Sequence, residues 1–290
     1  VQSIDKVKAA SKECALVFSA VSSDAARDNE EKYAKAGCVV VSNASAHRWT
    51  KDVPMIIPEI NPNHLELIDV QRKKRKWKNG CLVTKPNCSL QSYLIALHAL
   101  DEKWKPSQVM VTTLQALSGA GHPGVASLDA VDNVVPFIKG EEEKSEKEPS
   151  RILGKIRGST ISLRKKPIIS ATCTRVPCID GHLATVSVKF EKKPTKRQII
   201  KAWRDFRGLP QELELPSAPE FPVLYLQEDD RPQPRKDRMA GNGMAVTVGR
   251  LRPCPLFDYR FVCLSHNTIR GAAGGGVLIA ELLLAKGYVK

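Results

Sequence analysis

Residues 15–19 and 38–42 are two short apolar runs, and between them lies a stretch that Ser23 or Asp24 can cap and that reads as helix to Lys35. Strand, helix and strand within about 30 residues mark a βαβ unit, and with it a parallel sheet. Residues 55–57 and 81–84 read as further strands. The last of these leads through Lys85-Pro86-Asn87 into Cys88-Ser89, after which Leu90, Leu94, Leu97 and Leu100 give helical spacing. From there the pattern changes. Residues 109–114, 168–174, 182–190, 223–226, 244–248 and 259–265 read as strands of a more antiparallel sheet, interrupted by helices at 141–156 and 195–206. The charged stretch 141–147 reads as a solvated helix face. Residues 267–285 read as one helix capped by Asn267 or Thr268, although GAAGGG at 271–276 costs about 1 kcal/mol per glycine. A sheet or a ligand is therefore expected to approach that backbone closely. The chain divides into an α/β portion at 1–87, an α+β portion at 88–265, and a C-terminal helix, 266–290, that returns to the first.

Composition narrows the class. With 42% apolar and 26% charged residues the chain has what a packed core needs, so disorder is excluded. The apolar runs are too short and broken for a transmembrane span, and the first residues lack the apolar core of a signal peptide. Eight cysteines without a CxxC pair suit reduced thiols in the cytoplasm better than a disulfide framework or a zinc site, so no metal is expected. The Asn-x-Ser matches at Asn43 and Asn87 then carry no glycan. The net charge of +14 concentrates at 71–78, 192–197 and 231–238. These runs are read as solvated loops and helix faces, with charge reserved for anionic substrates, in preference to a nucleic-acid surface.

Cys88 stands where a strand gives way to a helix. Unpaired N–H groups and the helix dipole there favour the thiolate, the reactive form of cysteine. Asn87 offers an amide near any oxyanion that forms. A thiolate nucleophile needs an acid/base partner, usually histidine. His182 opens a strand after Asp180-Gly181 and follows Arg175 by seven positions. His47, His64, His98 and His122 read as structural, and His266 as either. The run Gly119 to Gly124 matches GxGxxG, but Pro123 interrupts the helix that a dinucleotide turn must open, so it is kept only as a loop near the chemistry.

Taken together, SNASAHRW (42–49), VPMIIPEIN (53–61), KPNCS (85–89), TTLQALSGAGHPGVASLDAVDNVVPFI (112–138), RVPCIDGH (175–182) and HNTIRGAAGGGVLIAELL (266–283) resemble the aspartate-semialdehyde dehydrogenase family, in its fungal and archaeal branch. The resemblance spans nearly the whole chain. It implies an incomplete Rossmann-type parallel-sheet nucleotide domain with an α+β catalytic and dimerisation domain, in a homodimer or homotetramer. It also implies an NADP-dependent, phosphate-dependent oxidation of aspartate semialdehyde to aspartyl phosphate, run in reverse towards lysine, methionine and threonine. Cys88 would be the nucleophile, His182 the general acid/base, and Gln115 would orient the reacting group. Arg175 would hold the substrate carboxylate, Glu148 its amino group, and Arg48 the inorganic phosphate. Cofactor contacts would come from Ser19, Ser22, Ser118, Gly119, Gly121 and Asn267.

Two departures matter. Where the family has Glu-x-x-Lys-Ile-Leu-Gly, this chain has Glu148-Pro149-Ser150-Arg151-Ile152-Leu153-Gly154, so Arg151 takes the place of a substrate-binding lysine and Pro149 is expected to delay the helix start. The family's first strand and glycine-rich turn are absent from the sequence, so the chain is expected to begin partway through its nucleotide domain and to bind NADP weakly. The alternatives are a related acyl-phosphate or thioester reductase, such as N-acetylglutamyl-phosphate reductase or malonyl-CoA reductase, and a non-catalytic basic interaction protein.

Overall fold

The computed structural model describes residues 3–289. Helix α1 (Val7–Glu13) precedes β1 (Leu16–Ser19), α2 (Ser23–Lys35), β2 (Val39–Ser42), α3 (Leu67–Arg75) and β3 (Cys81–Thr84). Then come α4 (Gln91–Trp104), β4 (Pro106–Gln115), α5 (Ser127–Ala130), α6 (Glu141–Ile152), β5 (Lys155–Arg157) and β6 (Thr160–Ser162). The remainder is β7 (Ile168–Arg175), β8 (His182–Phe190), α7 (Lys196–Asp205), α8 (Leu209–Glu212), β9 (Val223–Tyr225), α9 (Pro234–Asp237), β10 (Val246–Pro253), β11 (Tyr259–Ser265) and α10 (Ala273–Ala285).

The βαβ unit forms as expected. Strands β1, β2 and β3 are parallel, with Leu16 beside Val39 and Val39 beside Cys81. Ser22 rather than Ser23 or Asp24 caps α2, its hydroxyl accepting from the Ala25 N–H while Ser23 and Asp24 already lie in the first turn. β2 and β3 are buried on both faces, which is why they read as continuous apolar runs. Val41 and Val83 share one core with Leu278, Ile279 and Leu282 of α10.

The second sheet is mixed, in the order β7-β4-β8-β11-β10-β9. β4 pairs parallel with β7 and β9 with β10, while the β4–β8, β8–β11 and β11–β10 pairs are antiparallel. Its core is covered by α4, whose Leu94, Leu97 and Leu100 pack with Val186, Val248 and Phe261. Trp203 of α7, capped by a Thr195–Gln198 capping box, donates to the Ala96 carbonyl and locks the two helices together.

Four further expectations are corrected. Residues 55–57 make only a single bridge, Met55 with Thr84, because Pro54 and Pro58 flank them and neither has an N–H to extend a ladder. The 141–156 helix stops at Ile152 and turns through Gly154 into the β5–β6 hairpin. Pro149 does not delay α6 but sits in its last turn. The Ser145 carbonyl, which Pro149 cannot serve, accepts the Tyr93 hydroxyl of α4 at 3.0 Å instead. Lastly, α10 starts at Ala273 rather than Asn267 and has no side-chain cap. Residues 266–272 are drawn elsewhere, and most strongly Arg270, whose guanidinium bonds both oxygens of the fully buried Glu59 and also Gln91.

Candidate active site

Strand register gathers the site. Gln115 lies beside Arg175 across the β4–β7 ladder, Leu114 lies beside Leu183, and Ser265 faces His182 across β11–β8. One end of the mixed sheet therefore presents Gln115, Arg175 and His182 together, with His266 and Asn267 leaving β11 at the same end. The β3–α4 connection delivers Cys88 to that end. Cys88 occupies the turn ahead of α4, not the helix itself. Asn87 shapes this turn, its Oδ1 accepting from the Ser89 N–H at 2.8 Å and the Ser89 hydroxyl at 2.7 Å.

Cys88 Sγ lies 3.5 Å from His182 Nε2. On its other side, His182 Nδ1 accepts the Ala116 N–H at 3.0 Å. A neutral imidazole whose Nδ1 accepts must carry its proton on Nε2, so the ring presents an N–H to the sulfur. Burial drives His182 down to about 3, and the charges of Arg175 and His266 push the same way, so the ring is neutral at pH 7. Two glycines make the approach possible. A Cβ at Gly119 would stand 2.7 Å from His182 Cε1 and 2.9 Å from Arg175 Nη1, and one at Gly271 would stand 2.7 Å from Cys88 Cβ.

Arg175 is 7% exposed, and its Nη1 donates to the Ala116 carbonyl at 2.7 Å. Among the described residues it has no ion-pair partner, and burial lowers its proton affinity. A desolvated guanidinium without a carboxylate is a receptor waiting for an anion.

A second centre, Glu141, was hidden in the sequence. Its carboxylate takes both hydrogen bonds of the Asn87 amide at 2.9 Å, the Gln115 amide at 3.2 Å and Lys144 at 2.8 Å. Burial pushes Glu141 up, but Lys144, Asn87 and Gln115 prevail and hold it below the ordinary carboxylate range. The solvated-face reading of 141–147 is thus wrong at its first residue. The Asn87 side-chain amide, expected near an oxyanion, is already committed. Three consecutive glutamates, 141–143, carry no signal for which one turns inward.

The remaining expected residues fall into groups. Arg48 and Glu148 pair at 2.8 Å while Arg48 also reaches the Asn43 carbonyl, and the Asn87 N–H bonds the other Glu148 oxygen at 2.7 Å. Arg151 does not join them: it donates to the carbonyls of Thr50 and Val53 and faces Trp49, so it braces the 50–53 loop. Asn267 accepts from the Gly181 N–H and donates to the Ser118 hydroxyl, both at 2.8 Å, tying three segments together. Gly121 follows that loop with φ 70°. Ser19 and Ser22 stand apart, at the C-terminal end of β1 and the start of α2. His64 bonds Asn61 and the Gly154 carbonyl, and His98 packs on Phe206, as structural histidines do. In the basic run 71–78, Arg72 serves backbone carbonyls including that of Tyr288, and Arg75 pairs with Asp52 and Glu31.

Comparison with known proteins gives a consistent result. A semialdehyde dehydrogenase NAD-binding domain model matches residues 1–68, and a semialdehyde dehydrogenase dimerisation domain model matches 97–270. An aspartate-semialdehyde dehydrogenase of Archaeoglobus fulgidus is 48% identical over 269 residues, covering 93% of this chain and 76% of that protein. A malonyl CoA reductase (NADP) of Metallosphaera sedula is 47% identical, covering 94% of this chain and 77% of its own. The crystal structure of aspartate semialdehyde dehydrogenase with NADP from Candida albicans aligns with TM-score 0.86 at 40% identity, over 95% of this chain and 79% of that one.

Proposed function

This chain belongs to the semialdehyde dehydrogenase family, and on that premise we propose that it interconverts L-aspartate 4-semialdehyde and L-4-aspartyl phosphate, using NADP and inorganic phosphate. The observation that carries this reading is a thiol facing a donor imidazole beside an unpaired buried guanidinium. The Cys88 thiolate attacks the aldehyde carbon, and the carbonyl electron pair moves to oxygen, giving the oxyanion of a thiohemiacetal. Arg175 holds the substrate carboxylate and fixes that carbon near the sulfur. The His182 Nε2–H hydrogen-bonds the developing oxyanion. This donor role suits the Ala116 contact better than acid–base cycling, because a second proton on Nδ1 would meet the Ala116 N–H. On loss of hydride from the carbon, the oxygen re-forms the carbonyl and Cys88 carries a thioester. Phosphate then attacks that carbon, the C–S bond breaks, and the Cys88 thiolate returns. Gln115 and Asn87, through Glu141, hold the β4 end and the Cys88 turn in one frame.

The residues present fit the nicotinamide end of the cofactor. Buried Asn43 Oδ1, at the C-terminal end of β2, has no hydrogen-bond partner, and such strand ends are where α/β sheets bind ligands. NADP would be held by Asn43 together with Ser19, Ser22, Ser118, Gly119, Gly121 and Asn267. When bound, it supplies the hydride acceptor, and NADPH the donor in the reductive direction towards lysine, methionine and threonine.

In this division of labour, residues 1–87 and 266–290 serve the cofactor, while 88–265 carry the chemistry and the contact between copies. Leu128, Val131, Phe137 and Ile179 are each more than half exposed on the dimerisation domain, an apolar surface that fits a homodimer or homotetramer. All eight cysteines are free, in keeping with the cytoplasm.

One observation favours a second reading. Glu148, the partner expected for a substrate amino group, is already engaged by Arg48 and the Asn87 N–H, which would suit a thioester reductase whose product lacks an amino group. Initial rates of NADPH formation with aspartate semialdehyde plus phosphate and with malonate semialdehyde plus coenzyme A separate the two. We expect kcat/KM to favour aspartate semialdehyde by about tenfold or more, the worth of roughly 1.4 kcal/mol. Equal or reversed preference would transfer the assignment to the thioester reductase.

A further inference from the structure

Lys85 follows β3 and enters the loop that carries Cys88, and it is only 3% exposed. Its ammonium donates to the carbonyls of Pro86, at 3.2 Å, and of Gly271. Gly271 is also the residue against which Cys88 rests. A Cβ at Gly275 would meet Lys85 Cδ at 3.3 Å, so the glycine stretch covers both side chains at once. A buried lysine is costly unless a negative charge compensates it. Among the described residues no carboxylate pairs directly with Lys85. The charged groups facing it are Cys88 from its own loop, Arg48 from the loop after β2, Glu148 from α6 and Arg270 from the segment before α10. Glu148 is neutralised by Arg48, and Arg270 by Glu59. Glu141, which faces Cys88, is held by Lys144. That leaves the Cys88 sulfur as the group whose ionisation can balance Lys85.

We propose that Lys85 is the positioning residue that sets the ionisation of Cys88, with one proton shared between the pair and the ammonium–thiolate form as the reactive state. Cys88–SH and Lys85–NH2 become Cys88–S⁻ and Lys85–NH3⁺: one S–H bond breaks, one N–H bond forms, and no electron changes owner. The inference rests on Cys88 as nucleophile. Burial draws Lys85 down to about 7, where it exchanges a proton readily at neutral pH. Burial and Glu141 raise the Cys88 thiol, while Lys85 and Arg48 oppose them, so the two groups titrate as a pair. His182 cannot store this proton, since its Nδ1 is occupied by Ala116. Acylation of the sulfur removes the negative charge and leaves Lys85 without its counterion. Its charge is balanced again when the thiolate returns.

The test is the pH profile of Cys88 alkylation by iodoacetamide, followed by peptide mass mapping in the full chain, which needs neither substrate nor cofactor. Lys85→Gln keeps a neutral donor for the two carbonyls, Lys85→Met keeps length without a donor, and Lys85→Arg keeps the charge. We expect the midpoint to rise by at least about one unit in the Gln and Met variants, an alkylation rate about tenfold lower near pH 7, and recovery with Arg. Wild-type profiles in folded Gln or Met variants, or recovery by Gln and not by Arg, would overturn the charge role. A wild-type Cys88 that resists alkylation throughout would instead remove the nucleophile reading itself.

Discussion

Cys88→Ala is expected to lower the rate of NADPH formation by a factor on the order of 10⁴ or more while leaving the thermal unfolding midpoint nearly unchanged. The substitution deletes one sulfur and keeps the Cβ that rests against Gly271, so no cavity of consequence opens in the core. Everything else in the site stays, including the Arg175 guanidinium and the His182 donor, so substrate still binds. What disappears is the covalent step, for which no neighbouring side chain substitutes. Cys173 and Cys263 are wholly buried, with thiols pushed up by burial. Initial rates with purified wild type and variant decide the matter. Residual turnover within tenfold of wild type would contradict the mechanism.

Arg175→Met should produce the second largest effect. Losing a buried guanidinium that binds a substrate carboxylate costs roughly 3–4 kcal/mol, or about 100- to 1,000-fold in kcat/KM, chiefly through KM. Arg175→Lys should recover only part of this, because an ammonium cannot reproduce the planar two-point contact. Stability should move the other way. Without an ion-pair partner, burial of Arg175 is a cost to the folded state, so the Met variant should unfold at the same temperature or higher. Michaelis–Menten and thermal unfolding data on the same preparations check both directions. A destabilised Met variant with unaltered KM would make Arg175 a structural residue only.

Much of this arrangement is legible in the chain because local physics dictates it. The apolar runs ending at Ser19 and Ser42 bracket α2, and Leu94, Leu97 and Leu100 lie on a buried face of α4. What could not be read was set by distant partners. Nothing near Glu141 reveals that it turns towards Asn87 and Gln115, since its neighbours Glu142 and Glu143 have the same chemistry. Pro149 looks like a helix breaker until the Tyr93 hydroxyl takes up the carbonyl it strands. Asn267 looks like a cap until Gly181 and Ser118 claim its amide. Register is of the same kind: 60 positions separate Gln115 from Arg175, and only the β4–β7 pairing makes them neighbours. Lys85 left a weak trace, a lone cation at the end of a four-residue buried strand.

A single covalent event at Cys88 underlies the proposed activity, and it can be isolated from hydride transfer. Incubated with L-4-aspartyl phosphate in the absence of NADPH, the Cys88 thiolate should attack the acyl carbon and expel phosphate, and the aspartyl thioester should then persist. Peptide mass mapping should find one hydroxylamine-labile aspartyl group on Cys88, absent from Cys88→Ala. No adduct, or an adduct on any other of the eight cysteines, would contradict the assignment of Cys88 as the nucleophile.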